Sequence, residues 1–168
     1  MSAPFAQQDY RVAGAELRLL EPDAVPQVAA CLVAMEPWRN LGYQAAGLEQ
    51  YLTRPDPALH RFGVWRDGHL AGIVCPRHPW LRGAYLELLG LWPSAQGQGL
   101  GGAILDWLTD QISPLDTNLW TAVSRANDGA RRFYARHGFL AVGEMADLVR
   151  RGHTEILLRK RLDGLGRT

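Results

Sequence analysis

The apolar positions of this chain are most concentrated between residues 84 and 112. Residues 84–92, Ala-Tyr-Leu-Glu-Leu-Leu-Gly-Leu-Trp, form an almost unbroken apolar run, which is typical of a strand buried on both faces. Pro93 ends that strand, because proline cannot continue a central ladder. Residues 103–112 have apolar side chains at helical spacing, and the intervening residues 96–102 are rich in glycine. The pattern predicts a strand, a glycine loop and a helix.

Apolar patterns on either side of this unit predict the remaining elements. Two apolar runs meet at Asp67-Gly68, which is a strong hairpin signal. The other predicted strands and helices follow from alternating and helical spacing. Before the unit these are strands 15–20, 60–66 and 69–75 and helices 25–35 and 45–53; after it they are strands 117–123, 139–145 and 154–162 and helix 128–137. Residues 1–14 are polar and are predicted to be irregular and mobile.

The order of the predicted elements is β-α-α-β-β-β-α-β-α-β-β. Asn127 is placed to cap the last helix, and Gly138 is placed to end it in the left-handed conformation. No repeat or linker divides the chain, so residues 1–168 are predicted to form one domain. The fold class is α/β, with antiparallel strands followed by a β-α-β-α section in a mixed sheet flanked by helices.

Composition and charge narrow the classes of function. The chain is 47% apolar and 21% charged, as ordinary globular proteins are, and its net charge of +1 includes no run of basic residues. Neither nucleic acid nor a membrane is therefore expected as a partner. Cys31 and Cys75 cannot form a metal quartet, so no metal is expected, and they are predicted to be free thiols. With no signal-peptide pattern, the expected location is cytoplasmic.

The glycine loop carries the main chemical signal. Residues 96–102, Gln-Gly-Gln-Gly-Leu-Gly-Gly, precede a helix whose N-terminal N–H groups favour an anion, so the loop is predicted to hold a pyrophosphate. Residues 97–102 satisfy G-x-G-x-x-G, the dinucleotide fingerprint. However, no acidic residue follows the strand at 117–123, and more than eighty residues precede the loop. A dinucleotide oxidoreductase is therefore the less favoured interpretation.

Two motifs together resemble the GNAT superfamily of N-acetyltransferases. Residues 96–101, Gln-Gly-Gln-Gly-Leu-Gly, resemble the acyl-CoA motif Q/R-x-x-G-x-G/A, and residues 127–139 resemble N-x-x-A-x-x-F-Y-x-x-x-G-F. The resemblance implies a GNAT-like fold and transfer of the acetyl group of acetyl-CoA to a primary amine by direct attack in a ternary complex. A non-catalytic acyl-CoA sensor or interaction module is the alternative, and a homodimer is an open expectation.

The resemblance also implies the residues that hold acetyl-CoA. The pantetheine arm would lie against the backbone near Leu89, and the pyrophosphate would lie on the amides of the glycine loop. The cofactor-binding set is Leu89, Gly90, Leu91, Gln96, Gly97, Gln98, Gly99, Leu100, Gly101, Gly102, Asn127, Ala130 and Tyr134. Many relatives carry Arg or Lys in this loop, whereas this chain has none. Arg125, Arg131 and Arg132 could approach the phosphates, although a solvated helix face is the favoured interpretation.

Tyr134 is the predicted general acid. A phenol has a pKa of about 10, stays protonated at neutral pH and can give a proton to a leaving thiolate. Tyr134 follows Asn127 by seven residues, which places both on one helix face. The alternative role is a core tyrosine packed beside Phe133.

Glu87 is the tentative general base, and four residues are candidates for the acceptor site. A carboxylate in a buried strand is costly unless it is paired or partly wet. By strand alternation Glu87 is expected to share a face with Leu89 and Leu91 and to take the proton of the ammonium. An ion pair with an arginine is the structural alternative. The acceptor-site candidates are Trp38, Tyr43, His78 and Trp80, and the acceptor itself, a small-molecule or protein amine, is left open.

Overall fold

The computed structural model describes residues 2–163 as one eight-stranded mixed sheet flanked by helices. The strand order is β1-β2-β3-β4-β5-β6-β8-β7, and only β5 and β6 pair in parallel. The strands are β1 Asp9–Val12, β2 Ala15–Leu19, β3 Phe62–Arg66, β4 His69–Arg77, β5 Gly83–Leu91, β6 Asn118–Ser124, β7 Leu140–Ala146 and β8 Thr154–Arg161. The α-helices are α1 Val25–Val33, α2 Ala45–Thr53, α3 Leu100–Ile112 and α4 Asp128–Arg136.

The sheet separates two apolar cores. One core packs α3 and part of α4 against one face, with Ile104, Leu105 and Leu108 fully buried. The other core packs α1 and α2 against the opposite face, where Val28 and Leu32 are fully buried. Each helix buries one apolar stripe and leaves its polar side in water, which is the physical reason for this three-layer arrangement.

Several local signals in the sequence are confirmed. Asp67 and Gly68 form the β3–β4 hairpin with φ values of 50° and 77°. The side chain of Asn127 caps α4 by accepting a hydrogen bond from the Ala130 N–H at 3.1 Å. Gly138 follows α4 with φ 88°, the left-handed conformation that a helix stop favours. Both cysteines are free thiols.

The prediction of an irregular N-terminus is wrong, because residues 9–12 form the edge strand β1 paired antiparallel with β2. Phe5, ahead of it, is 2% exposed, and its N–H donates to the Gln111 side chain of α3. Phe5 and Tyr10 both pack on the Trp107 ring. The strand is only four residues long and buries little, so its polar sequence does not show the usual strand pattern.

The sheet opens in the middle. β5 and β6 pair over four residues, from Gly83↔Asn118 to Leu86↔Thr121, and then separate. Beyond that point residues 88–91 of β5 pair with β4, and residues 122–124 of β6 pair with β8. An opening is therefore left between two free strand edges beside the start of α3.

A β-bulge lies in β5 where the opening begins. Cys75 of β4 pairs with Leu88 and Pro76 pairs with Leu86, so Glu87 is the extra residue. The expected common face is therefore wrong: Glu87 contacts Tyr51 of α2, whereas Leu89 and Leu91 pack toward the core that contains α3. A bulge breaks the strict alternation on which the expectation depended.

Candidate active site

A cavity of about 510 Å³ lies at the opening between β5 and β6. It extends from the opening toward the α1–α2 connection and the β7–β8 connection. The residues that line it include six with aromatic, carboxylate or amide side chains: Trp38, Tyr43, Glu87, Asn127, Tyr134 and Glu155. The cavity therefore brings together aromatic rings, two carboxylates and a phenol at the place where the sheet is split.

Tyr134 is held in the wall of this cavity. The residue is 7% exposed, and its ring packs edge-on against Phe133 and Phe139. Burial raises the pKa of Tyr134 to about 12, while the nearby Thr121 hydroxyl opposes that rise. The phenol therefore keeps its proton throughout the neutral range and can donate it. Both predicted roles of Tyr134, core packing and access to the site, are compatible with this position.

Glu87 lies in a network of polar groups on the face of the sheet that packs against α2. Its carboxylate accepts a hydrogen bond from the Tyr51 hydroxyl at 3.1 Å and forms an ion pair with Arg77 at 3.2 Å. Arg77 also pairs with Asp56 at 2.9 Å, and that guanidinium holds the pKa of Asp56 below its usual value. Glu87 thus combines the structural ion pair with a place in the cavity wall.

Glu155 of β8 is a site residue that the sequence reasoning missed. It is 5% exposed, lines the cavity, and its Oε1 has no hydrogen-bond partner within residues 2–163. Burial raises the pKa of the Glu155 carboxyl, and His153 opposes the shift. The sequence contains a signal for this residue, because Glu155 lies in the apolar strand 154–162. A carboxylate buried in such a strand is costly unless it has a partner or a function, as also holds for Glu87.

The glycines of the loop serve two different purposes. Gly97 and Gly99 have φ values of 71° and 79°, and a Cβ on either would meet no atom within 4 Å. Gly101 and Gly102 instead lie under α4, where an added Cβ would come within 3.0 Å of Phe133 and 2.6 Å of His137. The first pair leaves open space beside its Cα atoms for a ligand, and the second pair permits close helix packing.

The N-terminus of α3 fits an anionic group. Gly99 is the N-cap, and the first backbone bond of the helix joins the Ala103 N–H to the Gly99 carbonyl, so the amides of the first turn point outward. Arg66 at the end of β3 donates to the Gln98 side chain, which places a cation beside the uncharged loop. Arg131 instead donates to the Arg125 carbonyl, and Arg125 pairs with Glu144.

The remaining predicted cofactor residues lie around the opening. Leu89 and Ala130 line the cavity, and the Gln96 side chain donates to the Leu91 carbonyl at 2.8 Å. Gly90 faces away, since a Cβ there would meet Leu32 at 2.9 Å. Leu100 is 2% exposed in the core, so its contribution to an anion site would be its amide.

The four acceptor-site candidates divide into two pairs. Trp38 and Tyr43 line the cavity. Trp80 does not line it and packs against Tyr85 and Trp120. His78 also lies outside it, where its Nε2 is 3.0 Å from Asp116. The structure thus brings one pair of candidates to Tyr134 and Glu87 and leaves the other pair apart.

The family model for the acetyltransferase (GNAT) family matches residues 23–139, more than half of the chain. The chain belongs to the GNAT acetyltransferase family. It is therefore an acetyl-CoA-dependent acetyltransferase, and the match overturns the dinucleotide interpretation of the glycine loop. No curated protein matches the sequence at a significant level. Within residues 2–163, no helix is long and apolar enough to cross a membrane.

Solved structures share the fold at low identity. An acetyltransferase from Thermus thermophilus superposes with a TM-score of 0.72 at 20% identity, covering 91% of this chain and all of that one. The ribosomal-protein-S18-alanine N-acetyltransferase from Escherichia coli superposes with a TM-score of 0.71 at 19% identity, covering 92% of this chain and 97% of that one. Spermidine N-acetyltransferase from Vibrio cholerae, in complex with CoA and spermine, superposes with a TM-score of 0.70 at 18% identity, covering 90% of this chain and 98% of that one.

Proposed function

We propose that this enzyme transfers the acetyl group of acetyl-CoA to a primary amine by direct attack within a ternary complex. The observation that carries the proposal is the cavity at the split between β5 and β6, because Tyr134 and Glu87 approach it from different elements. The acetyl donor would enter along the free strand edges, and the acceptor would enter from the α1–α2 side.

The donor site would combine the glycine loop and the free strand edges. The outward amides of residues 100–102 would bind the pyrophosphate, with Arg66 nearby. The edge of β5 beyond Leu86 would bind the pantetheine arm as an added strand does. Asn127 borders the cavity, and its cap uses Oδ1, so its side-chain N–H groups would be available to bind the second side of the arm.

Two residues of the chain would move protons. An amine must be neutral to attack, so Glu87 would take one proton from the ammonium, directly or through a water. The C–N bond then forms and the C–S bond breaks. Tyr134 would give its proton to the departing thiolate, and the proton that the attacking nitrogen must still lose to become an amide would restore the phenol. Burial keeps the phenol of Tyr134 protonated until the thiolate leaves, but it also makes the phenol a weaker acid, so the lower part of the range for a general acid is expected.

The structural neighbours support an amine as acceptor without naming which one. The Escherichia coli protein is described as a ribosomal-protein alanine N-acetyltransferase, and the Vibrio cholerae protein as a spermidine N-acetyltransferase. Both of those proteins acetylate a nitrogen. This chain is accordingly proposed to accept a small-molecule or protein amine.

The test replaces each proton-transfer residue by its nearest neutral analogue. Tyr134→Phe keeps the ring and its packing and removes the donor, so kcat should fall by about 10²-fold, the lower part of the range for a general acid. Affinity for acetyl-CoA should stay within a few-fold of wild type. Glu87→Gln should slow turnover most at low pH, where the acceptor is mostly ammonium. Release of CoA measures turnover, and calorimetry measures affinity.

Tyr10→Phe is the matched control, since this ring lies in the core far along the sheet and lacks contact with the cavity. Full turnover in Tyr134→Phe would remove Tyr134 from the mechanism. A wild-type protein that binds acetyl-CoA tightly and turns over no amine would favour the sensor instead. An unchanged pH–rate profile in Glu87→Gln would leave Glu87 with its structural ion pair alone.

A further inference from the structure

Glu155 has no structural partner that accounts for its burial. The side chain is 5% exposed, and no group within residues 2–163 donates a hydrogen bond to its Oε1. A buried carboxylate without a partner destabilises the fold unless a ligand completes it. The carboxylate also lines the cavity at the opening between β5 and β6, so a ligand can reach it.

The two carboxylates of the cavity differ in their charge balance. Glu87 is paired with Arg77 and accepts from Tyr51, so much of its charge is compensated. Among residues 2–163 no such cation pairs with Glu155, and His153 is the group there that draws its pKa back down. Tyr85 lies near both carboxylates, which together with burial raise the pKa of Tyr85 to about 12. Of the two carboxyl groups, Glu155 is therefore the one without an ion pair among residues 2–163.

The topology places Glu155 one strand away from the reacting position. Glu87 stands in β5 at the edge of the opening, whereas Glu155 stands in β8, with β6 between them and Ser124 as its direct neighbour. Adjacent strands are about 5 Å apart, so Glu155 is beyond the strand that borders the opening. It is placed to contact a part of the acceptor other than the reacting nitrogen.

The connection between β7 and β8 forms part of the wall of the cavity that Glu155 lines. Leu148 and Val149 of this connection line the cavity. Arg150 donates a hydrogen bond to the Asn40 carbonyl at 2.9 Å and so joins the connection to the segment between α1 and α2. A cavity of this size is large enough to hold a small molecule.

We propose that Glu155 binds a second positive charge of the acceptor, and that the acceptor is a small diamine. The inference rests on the proposed transfer to an amine and specifies the class of that amine. The ammonium that reacts would lie at the opening near Glu87, and the other ammonium would take the free lone pairs of Glu155. The aromatic rings of Tyr43 and Trp38 would cover the carbon chain between the two charges.

The experiment compares α,ω-diamines with n-alkylamines of the same chain length. The wild-type kcat/KM for the diamine should exceed that for the matched monoamine. In Glu155→Gln the ratio should fall by about tenfold or more, as expected when a charge-assisted contact is lost. Glu155→Asp keeps the charge and should keep a ratio above one. Glu144→Gln, on the exposed strand β7, is the matched control and should keep the wild-type ratio.

The outcomes separate this inference from the proposed function. Equal kcat/KM for diamine and monoamine in wild type, or an unchanged ratio in Glu155→Gln, would overturn the diamine assignment while leaving the acetyltransferase intact. No turnover of any amine would overturn the proposed function and this inference with it. If neither Glu155→Gln nor Glu155→Asp folds, the carboxylate is structural and the assignment fails.

Discussion

Glu155 links stability to function within one side chain. Burial raises the pKa of this carboxyl, so the folded state disfavours its charged form. A raised pKa gives stability that is fully present below the unfolded pKa and is lost as the pH rises through the folded pKa. Burial thus makes the charged form of Glu155 unfavourable in the folded enzyme, as is expected of a carboxylate whose partner would be a ligand.

Replacing Glu155 with Gln should therefore stabilise the free enzyme at neutral pH. The free energy of unfolding of Glu155→Gln should exceed that of wild type at pH 7, and the difference should disappear near pH 4, below the usual carboxyl pKa of about 4.5. Urea denaturation at the two pH values measures it. Glu144→Gln should stay close to wild type at both, because that side chain is 56% exposed. A variant that is less stable at pH 7 would mean that Glu155 holds the fold.

At the scale of single elements, the glycine-rich start of α3 is as much a packing surface as a ligand site. An alanine at position 102 would place its Cβ 2.6 Å from His137, whose Nδ1 is held 2.8 Å from the Phe133 carbonyl. The imidazole would have to leave this contact, or α4 would have to move. A Cβ at position 101 would likewise crowd the Phe133 ring. A bulky residue at position 101 or 102 would therefore disturb the packing of α3 against α4 as well as the binding of a ligand.

Two alanine substitutions should therefore have opposite effects. Gly102→Ala should lower the free energy of unfolding by about 1–3 kcal/mol, the usual cost of overpacking. Gly129→Ala in α4 should raise it by about 0.4–1 kcal/mol, since its Cβ would meet no atom closer than 3.8 Å and the unfolded chain loses freedom. Thermal and urea unfolding check both values. A Gly102→Ala protein as stable as wild type would show that α4 can shift away from the added Cβ without lowering the free energy of unfolding.

The elements also show how far the sequence could lead. Periodicity and turn residues located the four α-helices and all strands but β1, because these depend on local patterns such as Asp67-Gly68 and Gly138. The bulge at Glu87 could not be predicted, since it is a mismatch between two strands that are adjacent only in the folded sheet. Whether His78 or Tyr43 faces the cavity depended in the same way on long-range packing.

At the scale of the whole molecule, the sheet consists of two parts joined by a short seam. Strands β1–β5 form one part and β6–β8 the other, and four residue pairs connect them, the last being Leu86↔Thr121. The core around α3 spans the seam from one face, with Leu86 and Leu119 both in it. A ligand that lies between the free edges would join both parts directly, so binding and global stability should be coupled.

Acetyl-CoA should therefore protect the free edges of β5 and β6 beyond the seam before any other part of the sheet. Hydrogen exchange of the amides of residues 87–91 and 122–124 should slow markedly on binding, while β1 and β2 at the far edge should change little. At a hundredfold excess over Kd the whole protein should gain about 2.7 kcal/mol, and NADH at equal concentration should give neither effect. Gly143→Ala, on the outer strand β7 where a Cβ meets open space, should respond to acetyl-CoA as wild type does. If acetyl-CoA stabilises the protein without slowing exchange on either free edge, the donor lies elsewhere, because a ligand paired with those strands must shield their amides.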